Sequence, residues 1–134
     1  ISCAAGIAPA DIGIMAGAFE ASPEAKAGFM AYSDSLQMLH GLTGEKIMAE
    51  IETNEDAFSL QGLAPQLEGK RILVVGGDKD TSVPADAIIQ PLIAAYEADP
   101  AIDTTGVVLS GDHSFSWSRD ELISTVIDWA EACR

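Results

Sequence analysis

The sequence predicts an α/β fold, with a mostly parallel sheet of about three strands and flanking helices. Two short apolar segments, 71–75 and 104–109, are typical of buried strands. Each is followed by a segment whose apolar residues recur at helical spacing. Strands that alternate with helices indicate a parallel sheet, because parallel neighbours need a long crossover connection.

A third strand is predicted at residues 1–5, ending near Gly6. The chain opens with Ile1 rather than methionine and enters this apolar segment directly. Three strands also make a thin sheet. We therefore expect the chain to be a piece of a longer polypeptide, or a processed product.

Residues 9–62 are predicted to form a helical insertion between the first and second strands. The sequence Ser-Pro-Glu at 22–24 supplies a capping hydroxyl, a proline at the first helical position and an acid in the first turn. That helix should run to about Leu39, and Thr43 should cap another helix that ends near Glu52.

The remaining helices follow the second and third strands. Pro84 starts the first of them, and Asp-Pro at 99–100 ends it. Ser118 and Glu121 have the spacing of a capping box and predict the start of the last helix.

Charge and composition exclude several classes of function. The chain has 21 acidic and 7 basic residues, for a net charge of −14. Such a surface repels phosphate, so we expect no nucleic-acid partner and no anionic membrane partner. No apolar segment approaches the roughly 20 residues of a membrane span. We expect a soluble protein, with the cytoplasm slightly favoured.

The two cysteines are too few for a disulfide scaffold and lack metal-ligand spacing. Cys3 and Cys133 lie among apolar residues, so buried, inert thiols are the favoured interpretation. A bridge between them stays open as the alternative.

Polar loops follow both predicted strands, at 76–84 and 110–116. Because sites in parallel sheets form where strands end, neighbouring strands would bring a carboxylate of the first loop beside the imidazole of the second. A carboxylate bonded to one imidazole nitrogen fixes the tautomer and stabilises the imidazolium ion. This is what a general base for a hydroxyl nucleophile needs.

These loops resemble those of the α/β-hydrolase superfamily. Residues 77–84, GDKDTSVP, resemble the loop that carries the triad acid, and residues 111–115, GDHSF, resemble the histidine loop. The nearest branch contains the dienelactone hydrolases and prolyl oligopeptidases. The resemblance covers residues 63–134 well and residues 1–62 loosely, as a strand and a lid-like insertion. The resemblance implies that Asp80 is the acid of a catalytic triad and that His113 is its base.

The resemblance implies that residues 1–134 are a single, partial domain, the C-terminal portion of an α/β-hydrolase fold. The whole protein would be a serine-type hydrolase of ester, thioester or amide bonds, with no cofactor or metal. No G-x-S-x-G nucleophile motif occurs in the chain. The nucleophile would come from a segment upstream of Ile1 or from a partner chain, and this chain alone should be inactive. Cys3 is a weak alternative nucleophile, because a G-x-C-x-G form of the motif needs a glycine two positions after the cysteine and Ala5 stands there.

Other interpretations stay open. Asp80 could simply cap the following helix, and His113 could be a solvated loop residue. Asp78 and Asp112 should be turn or solvent carboxylates, although both could join Asp80 and His113 in a weak cation site. The chain could be a non-catalytic interaction module that forms homo-oligomers through an open edge of its first strand. A phosphate or small-ligand site at Gly-Gly 76–77 ranks lowest.

Overall fold

The computed structural model describes residues 2–36, 38 and 40–133. They divide into two compact units. Ile1–Ala10 and Leu63–Arg134 make up the sheet unit, and Asp11–Gly62 make up the helical unit. The helical unit coincides with most of the predicted insertion.

The sheet unit contains three parallel strands in the order β1-β2-β3. They are β1 (Cys3–Ile7), β2 (Arg71–Gly77) and β3 (Asp103–Leu109). Arg71 lies opposite Cys3 on one side and Asp103 on the other, so the three strands begin level with one another. The predicted α/β class is confirmed. The first strand lies two residues further along than predicted, and Ile1, where the prediction began, lies outside the described residues.

The described residues form five α-helices. These are α1 (Ile12–Ala21), α2 (Pro23–Ser35), α3 (Gly44–Thr53), α4 (Gln90–Glu97) and α5 (Arg119–Glu131). The helical unit also contains a 3₁₀ turn at Asp56–Phe58, and a π-helical turn at Ala85–Ile89 leads into α4. The second helix is shorter than predicted, and its predicted end at Leu39 lies outside the described residues. None of the helices in the described part of the chain is long and apolar enough to cross a membrane.

The central strand β2 is covered on both faces. Leu73 and Val75 are fully buried in a cluster with Leu109 and Phe115. The α5 side chains Leu122, Val126 and Trp129 pack on this cluster. On the other face, Gly76 lies so close to Ile89 that a Cβ atom would collide with it. The loop after β2 therefore starts from a firmly packed strand.

The last helix starts where predicted, with Ser118 at its N-cap position, but it lacks the predicted capping hydrogen bond. Ser118 makes no side-chain cap, and its Oγ atom is buried beside Gly111 with no hydrogen-bond partner among the described residues. The predicted capping box is therefore wrong. Ser22 does cap α2, because its Oγ accepts a hydrogen bond from the Ala25 N–H at 3.2 Å.

These two serines should respond differently to alanine. Ser22→Ala removes a helix cap and should cost about 1 kcal/mol of unfolding free energy. Ser118→Ala removes only an unsatisfied buried hydroxyl and should change that free energy by less than about 0.5 kcal/mol, or increase it. Urea denaturation of both variants checks this. A larger loss for Ser118→Ala than for Ser22→Ala would contradict the described start of α5.

The two cysteines form a disulfide, with their Cα atoms 6.2 Å apart. Cys3 opens β1 and Cys133 follows α5, so the bridge joins residues separated by 130 positions in the sequence. Both residues are partly buried. The favoured interpretation as buried thiols is wrong, and the alternative of a Cys3–Cys133 bridge is what the structure contains.

Candidate functional site

Two loops lie side by side at the carboxyl ends of β2 and β3. The Asp78 N–H donates to the Leu109 carbonyl oxygen at 2.9 Å, and the Lys79 N–H donates to the Gly111 carbonyl oxygen at 3.0 Å. The Gly111 N–H in turn donates to Asp78 Oδ1 at 3.0 Å. Gly77 allows this close approach, because a Cβ atom there would collide with the Gly111 carbonyl.

Asp80 is buried in the first of these loops, and its side chain has no exposed surface. Its Oδ1 atom accepts hydrogen bonds from the Ser82 N–H at 2.8 Å and the Val83 N–H at 2.9 Å. These bonds fix the orientation of the carboxyl group. They close a turn before the helical segment Ala85–Ile89, which has no side-chain cap, so Asp80 does not cap the following helix. They use only one of its two oxygens.

The second oxygen of Asp80 contacts His113. The Nδ1 atom of His113 lies 2.8 Å from Asp80 Oδ2, and 52% of the histidine side chain is exposed. A carboxylate can only accept hydrogen bonds, so Nδ1 must be the donor. In the neutral ring the lone pair then resides on Nε2. The pair has the arrangement of an oriented general base.

The histidine loop is held by its own turn and by one buried side chain. Phe115 is 2% exposed within the core cluster and adopts a left-handed backbone conformation, with φ of 51°. Asp112 accepts hydrogen bonds at 2.8 Å from both the N–H and the hydroxyl of Ser116. These contacts lie on either side of His113 and restrict its backbone.

The pKa values of two loop carboxylates, Asp80 and Asp112, lie below the ordinary value, so both groups favour the ionised form. Burial raises the pKa of Asp80, but hydrogen bonds from the Val83 N–H, His113 and the Ser82 N–H outweigh it. The net pKa of Asp80 lies below its ordinary value of 3.8. The pKa of Asp112 is lowered mainly by the Ser116 N–H and hydroxyl.

Acid should remove the contribution of Asp80 to stability. Because its pKa is lower in the folded than in the unfolded chain, this contribution is present above pH 3.8 and is lost as the pH falls through the folded-state pKa. We expect the wild type to exceed Asp80→Asn in unfolding free energy near neutral pH. The difference should shrink below pH 3.8. Urea denaturation across this range checks it, and a difference that does not change with pH would contradict it.

The other residues considered at the site have structural roles. Asp78 ties the two loops together and Asp112 stabilises a turn. No group of three or more His, Cys, Asp or Glu side chains among the described residues could hold a metal ion. Gly76 and Gly77 are buried, and a Cβ atom at either position would collide with Ile89 or Gly111 respectively.

Cys3 is not a nucleophile for this pair. It is bonded to Cys133, and it lies at the start of β1 opposite Arg71, the first residue of β2. Asp80 and His113 follow the opposite ends of the strands. The weak alternative based on Cys3 is therefore wrong.

Sequence reasoning did not identify a contact between Lys79 and Trp117. The Lys79 ammonium lies 5.6 Å from the centre of the Trp117 ring and 3.4 Å from the hydroxyl of Ser110. These residues belong to the same two loops as Asp80 and His113. The only available signal was the presence of a lysine and a tryptophan in loops predicted to meet.

The chain matches no protein-family model and no curated protein.

Proposed function

We propose that this chain supplies the general base and its orienting acid to a serine-hydrolase site of the α/β-hydrolase type. The substrate class is an ester, thioester or amide. The contact of 2.8 Å between His113 Nδ1 and the buried carboxylate of Asp80 carries the proposal. The resemblance of residues 77–84 and 111–115 to the acid and histidine loops of that superfamily supports it.

In the proposed reaction, Nε2 of His113 takes the proton from a serine hydroxyl as its oxygen attacks the substrate carbonyl. Asp80 stabilises the resulting imidazolium ion through the bond to Nδ1. The same proton then passes to the leaving alcohol, thiol or amine as the carbonyl–heteroatom bond breaks. Water releases the acyl group by the same steps in a second half-reaction.

The serine and the oxyanion donors would come from a polypeptide segment outside these 134 residues, or from a second chain. Among the described residues, β1 pairs only with β2, so its other edge is free. A parallel strand added at this edge would end at the same side of the sheet as Asp80 and His113. The location of this free edge is compatible with a nucleophile delivered from there.

Hydrolysis of p-nitrophenyl butyrate by the longest native polypeptide that contains this chain tests the proposal. His113→Gln should lower kcat at least about 10³-fold, because the general base is lost. The matched control is His40→Gln, which changes the other, exposed histidine and should leave kcat unchanged. Equal rates for the two variants would refute the assigned role of His113.

A second candidate function is favoured by the exposure of β1. Ala4, Ala5 and Ile7 are exposed although β1 belongs to the sheet. A strand with a free edge and exposed apolar side chains can pair with another chain. If the chain is an interaction module, it should sediment as a dimer, and Ile7→Lys should make it monomeric. A chain that sediments as a monomer at all concentrations would exclude pairing with itself.

A further inference from the structure

Among the described residues of the histidine loop, one side chain is buried, and it lies two positions after His113. Within residues 112–117, all of which the structure describes, only Phe115 is buried, with 2% of its surface exposed. The residues directly before and after it in the chain are exposed. Between its ends, the loop therefore contacts the hydrophobic core through this one ring.

The backbone of Phe115 has a conformation that a bulky side chain disfavours. Its φ of 51° lies in the left-handed region, where the Cβ atom crowds the neighbouring carbonyl. Its N–H donates to the Asp112 carbonyl oxygen at 3.0 Å, and its carbonyl oxygen accepts from the Ser118 N–H at 3.3 Å. Glycine adopts this conformation freely, so the turn itself does not require a ring. A residue with a side chain persists there only where its surroundings hold it, and burial of the ring does so here.

The ring of Phe115 packs on the strand that leads to the acid. It shares one buried cluster with Leu73 and Val75 of β2 and with Leu109, the last residue of β3. Asp80 lies in the loop that follows β2. Helix α5 covers the same cluster. The ring therefore attaches the histidine loop to the part of the core from which the acid loop also starts.

The side-chain hydrogen bonds that close the histidine turn are exposed to water. Asp112 accepts from the N–H and the hydroxyl of Ser116 at an exposed position. The Arg119 guanidinium donates to the Ser114 carbonyl oxygen at 3.1 Å, also at the surface. Water can replace such bonds, so each restrains the backbone only weakly. The buried ring of Phe115 is the stronger restraint.

We propose that Phe115 is a positioning residue for His113. Its buried ring holds the loop in the left-handed turn from which His113 Nδ1 reaches Asp80 Oδ2 at 2.8 Å. This role rests on the proposed function, in which the orientation of His113 decides whether Nε2 can act as the base. Phe115 acts through the backbone of the loop and takes no part in proton transfer.

Two-bond proton–nitrogen correlation spectra of the 134-residue chain test this role, because they report which nitrogen of His113 carries the proton. They are recorded at a mildly alkaline pH, where imidazole is neutral. The wild type should have its proton on Nδ1. Phe115→Gly permits the positive φ and removes only the ring, so His113 should leave Asp80 and its proton should shift to Nε2. Phe115→Ala should give the same result, and either variant suffices if the other does not fold.

Two further variants separate positioning from general stability. Phe115→Leu keeps a large apolar side chain in the core and should retain the proton on Nδ1. Phe19→Ala is the matched control, since Phe19 is a buried phenylalanine of the helical unit, 8% exposed. It should destabilise the chain and leave the proton of His113 on Nδ1. A folded Phe115→Gly or Phe115→Ala chain that keeps the proton on Nδ1 would overturn the proposal, as would an equal shift in Phe19→Ala.

Activity gives a separate measurement. In the longest native polypeptide that contains this chain, Phe115→Gly should lower kcat for p-nitrophenyl butyrate about 10²-fold, because the base is misplaced. Phe115→Leu should restore most of this loss. If the proton shifts in the 134-residue variants but the wild-type polypeptide hydrolyses no substrate, Phe115 does place the imidazole and the hydrolytic function is the part that fails.

Discussion

Replacing Asp80 with asparagine is expected to reverse the tautomer of His113 and, if the proposed hydrolase is correct, to lower its rate of hydrolysis about 10⁴-fold. The Asp80 Oδ1 atom accepts bonds from the Ser82 and Val83 N–H groups. In Asp80→Asn the amide oxygen must keep this place, because an amide nitrogen there would face two donors. The amide nitrogen then faces His113, whose Nδ1 must accept. The proton moves to Nε2, which can no longer act as the base.

The tautomer can be measured without a nucleophile, by two-bond proton–nitrogen correlation spectra of the 134-residue chain. The wild type should have its proton on Nδ1 and Asp80→Asn should have it on Nε2. The chain contains two histidines, so His40→Gln assigns the signals. Asp78→Asn is the matched control, because its amide oxygen can still accept from Gly111 and it does not contact His113. The same tautomer in wild type and Asp80→Asn would contradict the described geometry.

Reduction of the Cys3–Cys133 bridge should produce the largest loss of stability. The bridge closes a loop of 130 residues, and chain-entropy arguments give a contribution of about 2–5 kcal/mol for such a loop. Reductant should therefore lower the midpoint of thermal unfolding. The double variant Cys3→Ser, Cys133→Ser should unfold at the same low temperature with or without reductant. An unchanged midpoint for the reduced wild type would show that the bridge does not constrain the chain.

The bridge also bears on where the protein matures. Disulfides form and persist mainly in oxidising surroundings and are rare in the cytosol. The slight preference for the cytoplasm drawn from composition is therefore weakened. Free-thiol labelling of the native protein tests for the bridge, because Cys3 and Cys133 should resist alkylation.

The sheet could be predicted because its signals are local. The segment at 72–75 is apolar throughout, which indicates a strand buried on both faces, and β2 is buried in this way. The order of the elements predicted that a carboxylate of the first loop would lie beside His113, and the resemblance to the α/β-hydrolase acid loop selected Asp80 rather than Asp78. Loops after neighbouring parallel strands must meet at one edge, so two residues far apart in sequence could be brought together without knowledge of the packing.

The failed predictions depend on contacts between distant residues. The orientation of the Ser118 hydroxyl is set by its packing beside Gly111, and no local pattern reports this. The Cys3–Cys133 bridge depends on where β1 begins relative to the end of α5.

Labelling with a fluorophosphonate probe, followed by intact mass measurement of every polypeptide in the native material, tests whether Asp80 and His113 belong to a serine-hydrolase site. We expect the probe on a serine outside Ile1–Arg134, in the same polypeptide or in a second chain, and none on the isolated 134-residue chain. His113→Gln should abolish labelling. A probe attached to a serine within Ile1–Arg134, or no labelled polypeptide at all, would contradict the proposed hydrolase.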